Sequence, residues 1–191
     1  TMSRDRLAAW RATEVGIIFQ SYNLVPVLTA FENVELPLLL GKLPRRDREQ
    51  RALDALATVG LADRAGHFPR QLSGGLKQRV AIARAFAGDP SVVECDEPTS
   101  ALDVSVQAAI LNLLATLQRD ERTSYLFISH DLAVVERVSH RVAVMYLGKL
   151  CEVGNPDLLY AHPAHPYTKT LLGSWVLKVL KVMPQSSFKR L

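Results

Sequence analysis

The stretch Gln71-Leu-Ser-Gly-Gly-Leu-Lys-Gln-Arg-Val-Ala-Ile-Ala-Arg84 decides how the rest of the chain is read. A serine and two glycines precede a helical pattern in which Leu76, Val80 and Ala83 share one face. Ser73 suits the N-cap of that helix, and Gly74 and Gly75 leave its first backbone N–H groups uncovered. Orphan donors and the helix dipole then point the same way, an arrangement that favours an anion.

Downstream, Gly88-Asp-Pro90 stops the helix, and Ser91-Val-Val-Glu-Cys-Asp96 reads as a strand that runs straight into Glu97-Pro98-Thr99-Ser100. Ala101 to Asp120 hold a helix with Ile110, Leu113, Leu114 and Leu117 on its core side. A strand, Ser124 to Ser129, and a helix, Asp131 to Ser139, with Leu132, Val135 and Val138 inward, come next. Arg141 to Tyr146 and Lys149 to Val153 form two more strands joined by a Leu-Gly turn. Upstream, residues 3–12 suit a short polar helix carrying Leu7 and Trp10, and Glu14 to Phe19 a buried strand ending at Gln20. Thr29-Ala-Phe-Glu32 has the form of a capping box, and Pro37 ends or bends the helix it starts. A second helix, Arg45 to Val59, presents Ala52, Leu56 and Val59, with Gly60 as its terminator. Alternating strands and helices imply an α/β fold with a mainly parallel sheet. Residues 13–28 and 87–154 would form its core, 29–86 a helical subdomain between two strands, and 155–191 a tail, all within one domain.

The composition is that of a soluble globular chain, 48% hydrophobic and 22% charged. The net charge of +4 is dispersed without a long basic run, so no nucleic-acid partner is expected. No uncharged apolar stretch reaches the ~18 residues of a membrane span, and Thr1-Met-Ser-Arg-Asp-Arg lacks the apolar run of a signal peptide. Cys95 and Cys151 stand far apart, which fits a reducing, cytoplasmic compartment.

Three further positions carry chemistry. Asp96-Glu97 lies at the carboxyl end of a strand, where parallel sheets bind ligands, although two solvated loop acids would look the same. Ser100-Ala-Leu-Asp103 is also a plausible helix cap, and His130, at the end of another apolar strand, also suits a turn. With the opening stretch, these segments resemble the signature motif, Walker B motif, D-loop and switch histidine of ATP-binding cassette (ABC) ATPases, the engines of ABC transporters. The resemblance covers roughly residues 13–172. It implies that Ser73, Gly74 and Gly75 meet the phosphates of ATP, that Asp96 holds Mg²⁺ through water, and that Glu97 polarises the attacking water. By the same resemblance His130 bonds the γ-phosphate, Asp103 crosses a dimer interface, and Gln20 is the Q-loop glutamine that reaches Mg²⁺ and water. The implied partners are a second ATP-binding subunit, identical or not, and the transmembrane permease subunits at the cytoplasmic face of the membrane. Glu94 departs from the family, standing where an apolar strand residue is usual, so a strained or partly exposed strand is expected there.

The two halves resemble different subfamilies. Val15 to Asp63, with Phe31-Glu-Asn-Val34 and Pro37-Leu-Leu-Leu40, is similar to lipoprotein-releasing and macrolide-export ATPases. Asp103-Val-Ser-Val-Gln107, Arg141 to Tyr146 and His162-Pro-Ala-His-Pro-Tyr-Thr-Lys-Thr-Leu-Leu172 are similar to oligopeptide, dipeptide and nickel importers. Those importers often add a cysteine cluster near this tail; without one, no iron–sulfur centre is expected. The prolines beside His162 and His165 argue against a metal site there. Ser174 to Leu191 mix apolar and basic residues and match nothing in the family.

A P-loop, Gly-x-x-x-x-Gly-Lys-[Ser/Thr], is absent from the 191 residues, as is the adenine-stacking aromatic that the family carries upstream. Gly41-Lys42 and Gly148-Lys149 are both followed by leucine. The expectation is an incomplete P-loop NTPase core lacking a central strand, a truncated subunit inactive alone, with exposed strand edges and poor solubility. The alternatives are a non-catalytic partner lending its signature to another subunit's ATP site, and a soluble ABC ATPase of translation or DNA repair.

Overall fold

The computed structural model describes residues 2–41 and 43–173, so residues 174–191 fall outside the described part. The chain divides between Ile128 and Ser129 into two compact units.

The first unit opens with helix α1 (Arg4–Glu14), capped by Ser3, and strand β1 (Val15–Ile18). Helix α2 (Ala30–Glu35) begins at the capping box expected from Thr29 and Glu32: the Glu32 amide donates to Thr29 Oγ1, and the Thr29 amide to the Glu32 carboxylate. It stops at Glu35, and a 3₁₀ turn, Leu36–Leu40, carries Pro37, so the proline ends the α-helix two residues ahead of itself. Helix α3 (Arg45–Thr58) is followed by Gly60 at φ +73, the left-handed position that glycine adopts without strain. Helix α4 (Gly74–Phe86), strand β2 (Val92–Asp96), helix α5 (Val104–Asp120) and strand β3 (Ser124–Ile128) complete the unit.

Strands β1, β2 and β3 form a parallel sheet in that order, with Val15 opposite Val92, Ile18 opposite Cys95, and Asp96 opposite Ile128. One face of the sheet buries Ile18, Val93 and Cys95 in a single core with Val80, Ile82 and Ala83 of α4 and Ile110, Leu114 and Leu117 of α5. Val34, Ala52, Leu56 and Val59 of the helical segment join the same core. Leu113, expected on the core side of α5, only packs against its margin, and Leu111 is buried instead. On the other face Ile17, Glu94 and Leu126 lie side by side in register. Glu94 is half-buried there in a regularly paired strand, so the departure is absorbed by facing rather than by a distorted backbone. Among the described residues β3 is paired on one side only, and it leaves Leu126 56% and Ile128 42% exposed.

Gly16 sets how closely α4 lies on the sheet. A Cβ at this position would sit 2.4 Å from the Ala85 carbonyl oxygen, so only glycine lets the last turns of α4 pass over β1.

The second unit holds helix α6 (Leu132–Val138), strands β4 (Val142–Tyr146) and β5 (Lys149–Gly154), and helix α7 (Pro156–Ala161). The mainly parallel sheet expected from the alternation of strands and helices is confined to β1–β3. Strands β4 and β5 pair with each other, antiparallel, around a tight turn at Leu147 and Gly148, both at positive φ. Val134 is the buried residue of α6, with Leu132 and Val135 packed at the edge of a small core built on Val142, Val144, Leu159 and Leu172.

Candidate functional site

Helix α4 presents its N-terminus as the sequence suggests. Ser73 is the N-cap, with extended backbone, and its Oγ accepts a long hydrogen bond of 3.4 Å from the Leu76 amide. No acidic residue occupies the first turn, so the positive end of the dipole is not neutralised by the helix itself. The two glycines have a packing reason beside the exposure of their amides. A Cβ on Gly74 would lie 3.0 Å from the Tyr22 hydroxyl, and one on Gly75 would lie 2.6 Å from Val106 Cγ1. The loop after β1 and the first turn of α5 therefore close on this N-terminus through the space the glycines leave.

Gln20 and Glu97 meet directly. The Gln20 side-chain amide donates to a Glu97 carboxylate oxygen at 3.0 Å, joining the loops that follow β1 and β2. Glu97 sits at φ +45, a left-handed conformation for a residue with a side chain, and its amide donates to the Ile128 carbonyl at 3.0 Å. The strained residue is thus held on both sides, by its neighbouring strand and by Gln20. Asp96 is exposed at the very end of β2. Asp103 occupies the N-cap position of α5, but its carboxylate makes no cap hydrogen bond and stays exposed. The capping alternative for Ser100-Ala-Leu-Asp103 is therefore not what the side chain does; the Ser100 hydroxyl instead donates to the Glu97 carbonyl at 3.1 Å.

His130 belongs to the second unit, in the bend before α6, beside Asp131, whose carboxylate caps that helix by accepting from the Ala133 and Val134 amides. In the same unit His165 also has a structural duty: its Nδ1 accepts from the Tyr167 amide, while its own amide and that of Ala164 donate to Glu152.

Three polar residues of the first unit were not singled out from the sequence. The Arg84 guanidinium donates to the carbonyls of Asn23, at 2.5 Å, and Tyr22, at 2.8 Å, two residues that both hold positive φ. Burial lowers the pKa of Arg84 from its ordinary value, yet a guanidinium keeps its charge. Gln78, fully buried in α4, donates from Nε2 to the Pro98 carbonyl at 2.7 Å. Asn33, also fully buried, accepts from the Val25 amide and donates to the carbonyls of Val25, Leu28 and Thr29. The available signal was an amide side chain on an otherwise apolar helix face, which has to find backbone partners once buried.

Two cavities of the first unit lie elsewhere. One of about 300 Å³ is lined by Arg51, Phe86, Asp89 and Leu117 among others, and one of about 550 Å³ by Phe31, Glu35 and Arg48 among others. Neither is lined by Gln20, Ser73 or Glu97.

Cys95, one residue before Asp96, reports on the packing under the site. Burial, and to a lesser degree the Glu94 charge, push its thiol up to about 12. A raised pKa keeps the thiol protonated, leaving a thiolate fraction on the order of 10⁻⁴ at pH 8. Iodoacetamide at pH 8 should therefore modify the half-buried Cys151 in the folded chain and leave Cys95 untouched. A doubly modified native protein in the mass spectrum would show that the floor of the site is open.

The ABC transporter family matches residues 2–100. The "Probable peptide ABC transporter ATP-binding protein" of Sinorhizobium fredii is 46% identical over 177 residues, which cover 91% of this chain and 50% of that protein. The glutathione import ATP-binding protein of Escherichia coli K12 is 47% identical over 178 residues, 91% of this chain and 28% of that protein. The methionine import ATP-binding protein MetN 2 of Pseudomonas entomophila is 47% identical over 157 residues, 82% of this chain and 47% of that protein. The chain thus spans about half or less of the curated relatives it matches. Among solved structures, the ATP-binding cassette MJ0796, in a dimeric post-hydrolysis state bound to ADP and Pi, is 37% identical. That match has a TM-score of 0.69 and covers 81% of this chain and 68% of the cassette. With the parallel sheet, the capped glycine helix and the paired Gln20 and Glu97 in place, the chain belongs to the ABC transporter family, with an α/β fold of the P-loop NTPase kind.

Proposed function

We propose that this chain is the signature-bearing part of the ATP-binding subunit of an importer of the peptide type, working on the cytoplasmic face of a membrane with permease subunits. The N-terminus of α4 carries the reading: a serine cap, two glycines and no acidic residue in the first turn make a surface suited to a phosphate. The names of the relatives, a peptide protein, a glutathione importer and a methionine importer, favour import over the lipoprotein-release alternative.

The residues present fit parts of two nucleotide sites. Ser73, Gly74 and Gly75 would donate to the terminal phosphate of a nucleotide held by a partner subunit, whereas at a second nucleotide Asp96 would hold Mg²⁺ through water and Gln20 and Glu97 would orient and deprotonate a water molecule. His130 would add a donor toward the phosphate, and Asp103 would reach across to a second subunit. When bound, Mg²⁺–ATP supplies the phosphoryl group that accepts the water. The amides and lysine of a P-loop, which hold most of the triphosphate, are not among these 191 residues. The N-terminus of α4 would complete the site of a partner subunit, whose own P-loop holds the rest of that nucleotide.

Mixing the 191-residue chain with an intact, hydrolysis-deficient ABC cassette tests this. Light scattering should show a heterodimer with Mg²⁺–ATP and none with ADP, and the chain alone should show no ATPase activity that Glu97→Gln removes. A lack of ATP-dependent association would overturn the proposal, as would Glu97-sensitive hydrolysis by the chain alone.

A further inference from the structure

Helix α4 touches both loops of the candidate site, at two separate points. From its last turns Arg84 reaches the Tyr22 and Asn23 carbonyls, two and three residues after Gln20. From its middle Gln78 reaches the Pro98 carbonyl, one residue after Glu97. Gln20 and Glu97 are themselves hydrogen-bonded. These contacts close a ring that runs from α4 through Arg84 to the first loop, across Gln20 to Glu97, and back through Pro98 and Gln78 to α4.

We infer that Arg84 and Gln78 are positioning residues that hold the Gln20 and Glu97 loops to α4, so that the two loops are coupled through the signature helix. This rests on the proposed role of Glu97.

Each link bears on a backbone that would otherwise relax. Tyr22 and Asn23 stand at φ +62 and +49, and Glu97 at +45, conformations that residues with side chains keep only when their surroundings hold them. Arginine suits the first link because one planar fork can serve two successive carbonyls. The Tyr22 hydroxyl returns to the N-terminus of the same helix beside Gly74, so this loop spans α4 from its signature end to its last turns. Gln78 is costly for stability alone: its Oε1 is buried without a hydrogen-bond partner among the described residues. A methionine there would fill similar space and remove the unpaired oxygen, so a residue selected only for packing would not have to be glutamine. The ring gives the amide a reason, namely its bond to the Glu97–Pro98 turn.

The ring predicts communication between loops, which hydrogen–deuterium exchange on the chain itself can read. Arg84→Ala should speed exchange at the Tyr22 and Asn23 amides by about 10-fold or more, and also at Glu97 and Ser100, which Arg84 does not touch. Gln78→Met should leave the thermal midpoint unchanged or raise it, yet speed exchange at Glu97, Ser100, Tyr22 and Asn23. Arg84→Lys, which restores a donor but not the fork, should fall between the wild type and Arg84→Ala. Adding Gln20→Ala to Arg84→Ala should remove the effect of Arg84 on the Glu97 loop while keeping its effect on Tyr22. The inference is overturned if each variant disturbs only the loop it contacts, or if Gln78→Met merely lowers the midpoint. Because this readout involves no nucleotide, failure of ATP-dependent association would sink the proposed function and leave the ring standing.

Discussion

Gly16→Ala should destabilise the first unit by about 3 kcal/mol, lowering its thermal midpoint by roughly 10 °C. The direction opposes the usual rule. Alanine in place of a strand glycine normally gains on the order of 0.5–1 kcal/mol, because glycine loses more backbone freedom on folding. Here the new Cβ would lie 2.4 Å from the Ala85 carbonyl oxygen and 3.1 Å from its carbon, with the Pro90 ring 3.2 Å away. The first two are backbone atoms of α4, and no rotamer change can move them aside. Helix and strand must separate, and the separation disturbs Val80, Ile82 and Ala83 above Ile18 and Val93 in the shared core. Gly66→Ala is the control, since a Cβ there meets nothing within 4 Å and φ is not positive. Calorimetry should show the control at or above the wild-type midpoint and Gly16→Ala far below it. An unshifted Gly16→Ala midpoint would mean that α4 does not lie this close to β1.

The example shows what a sequence carries and what it leaves to packing. The start of α4 was legible because a serine cap, two glycines and an apolar period of 3.6 all mark one boundary. The end of α2 was legible for a similar reason, with Thr29 and Glu32 marking its start and Pro37 its limit. Each of these signals is local. Gly16 gave no such sign, because a glycine in a four-residue strand reads as a weak strand residue until the Ala85 carbonyl is seen above it. The direction of pairing was equally hidden: Val142 to Tyr146 has the same apolar, β-branched character as Val92 to Asp96, yet only the latter joins the parallel sheet. Alternation of strands and helices describes the β1–β3 segment well, whereas the tight turn at Leu147 and Gly148 folds β5 straight back on β4.

At the site, residues whose chemistry is intrinsic were readable, and residues whose importance is relational were not. A carboxylate after a strand, or a glutamine after another, takes on meaning once the resemblance to ABC ATPases covers the segments around it. That Gln20 and Glu97 lie 3.0 Å apart depends on the register that sets Ile18 beside Cys95. Arg84 and Gln78 look like ordinary members of an amphipathic helix until the loops they hold are in place. Even the glycine pair was read for one purpose and serves a second, admitting Tyr22 and Val106.

Ser73→Asp should separate the folding role of Ser73 from its binding role, with opposite outcomes for the two. Aspartate is as good an N-cap as serine and adds a negative charge at the positive end of α4, so stability should hold or rise by a few tenths of a kcal/mol. The same charge occupies the place proposed for a phosphate. Two like charges about 4 Å apart repel by roughly 4 kcal/mol at the effective dielectric of a protein surface, and each 1.4 kcal/mol is tenfold in affinity. ATP-dependent association with the hydrolysis-deficient cassette should therefore weaken on the order of 100- to 1000-fold. Ser73→Ala should behave in the reverse sense, losing about 1 kcal/mol of helix stability while keeping the Gly74 and Gly75 amides and most of the association. Titration by analytical ultracentrifugation beside urea denaturation reads both quantities on the same samples. If Ser73→Asp associates as tightly as the wild type, the phosphate does not sit at the α4 N-terminus. If it unfolds, the serine was needed for something other than capping, and Ser73→Ala, which keeps the site neutral, decides whether the amides still bind.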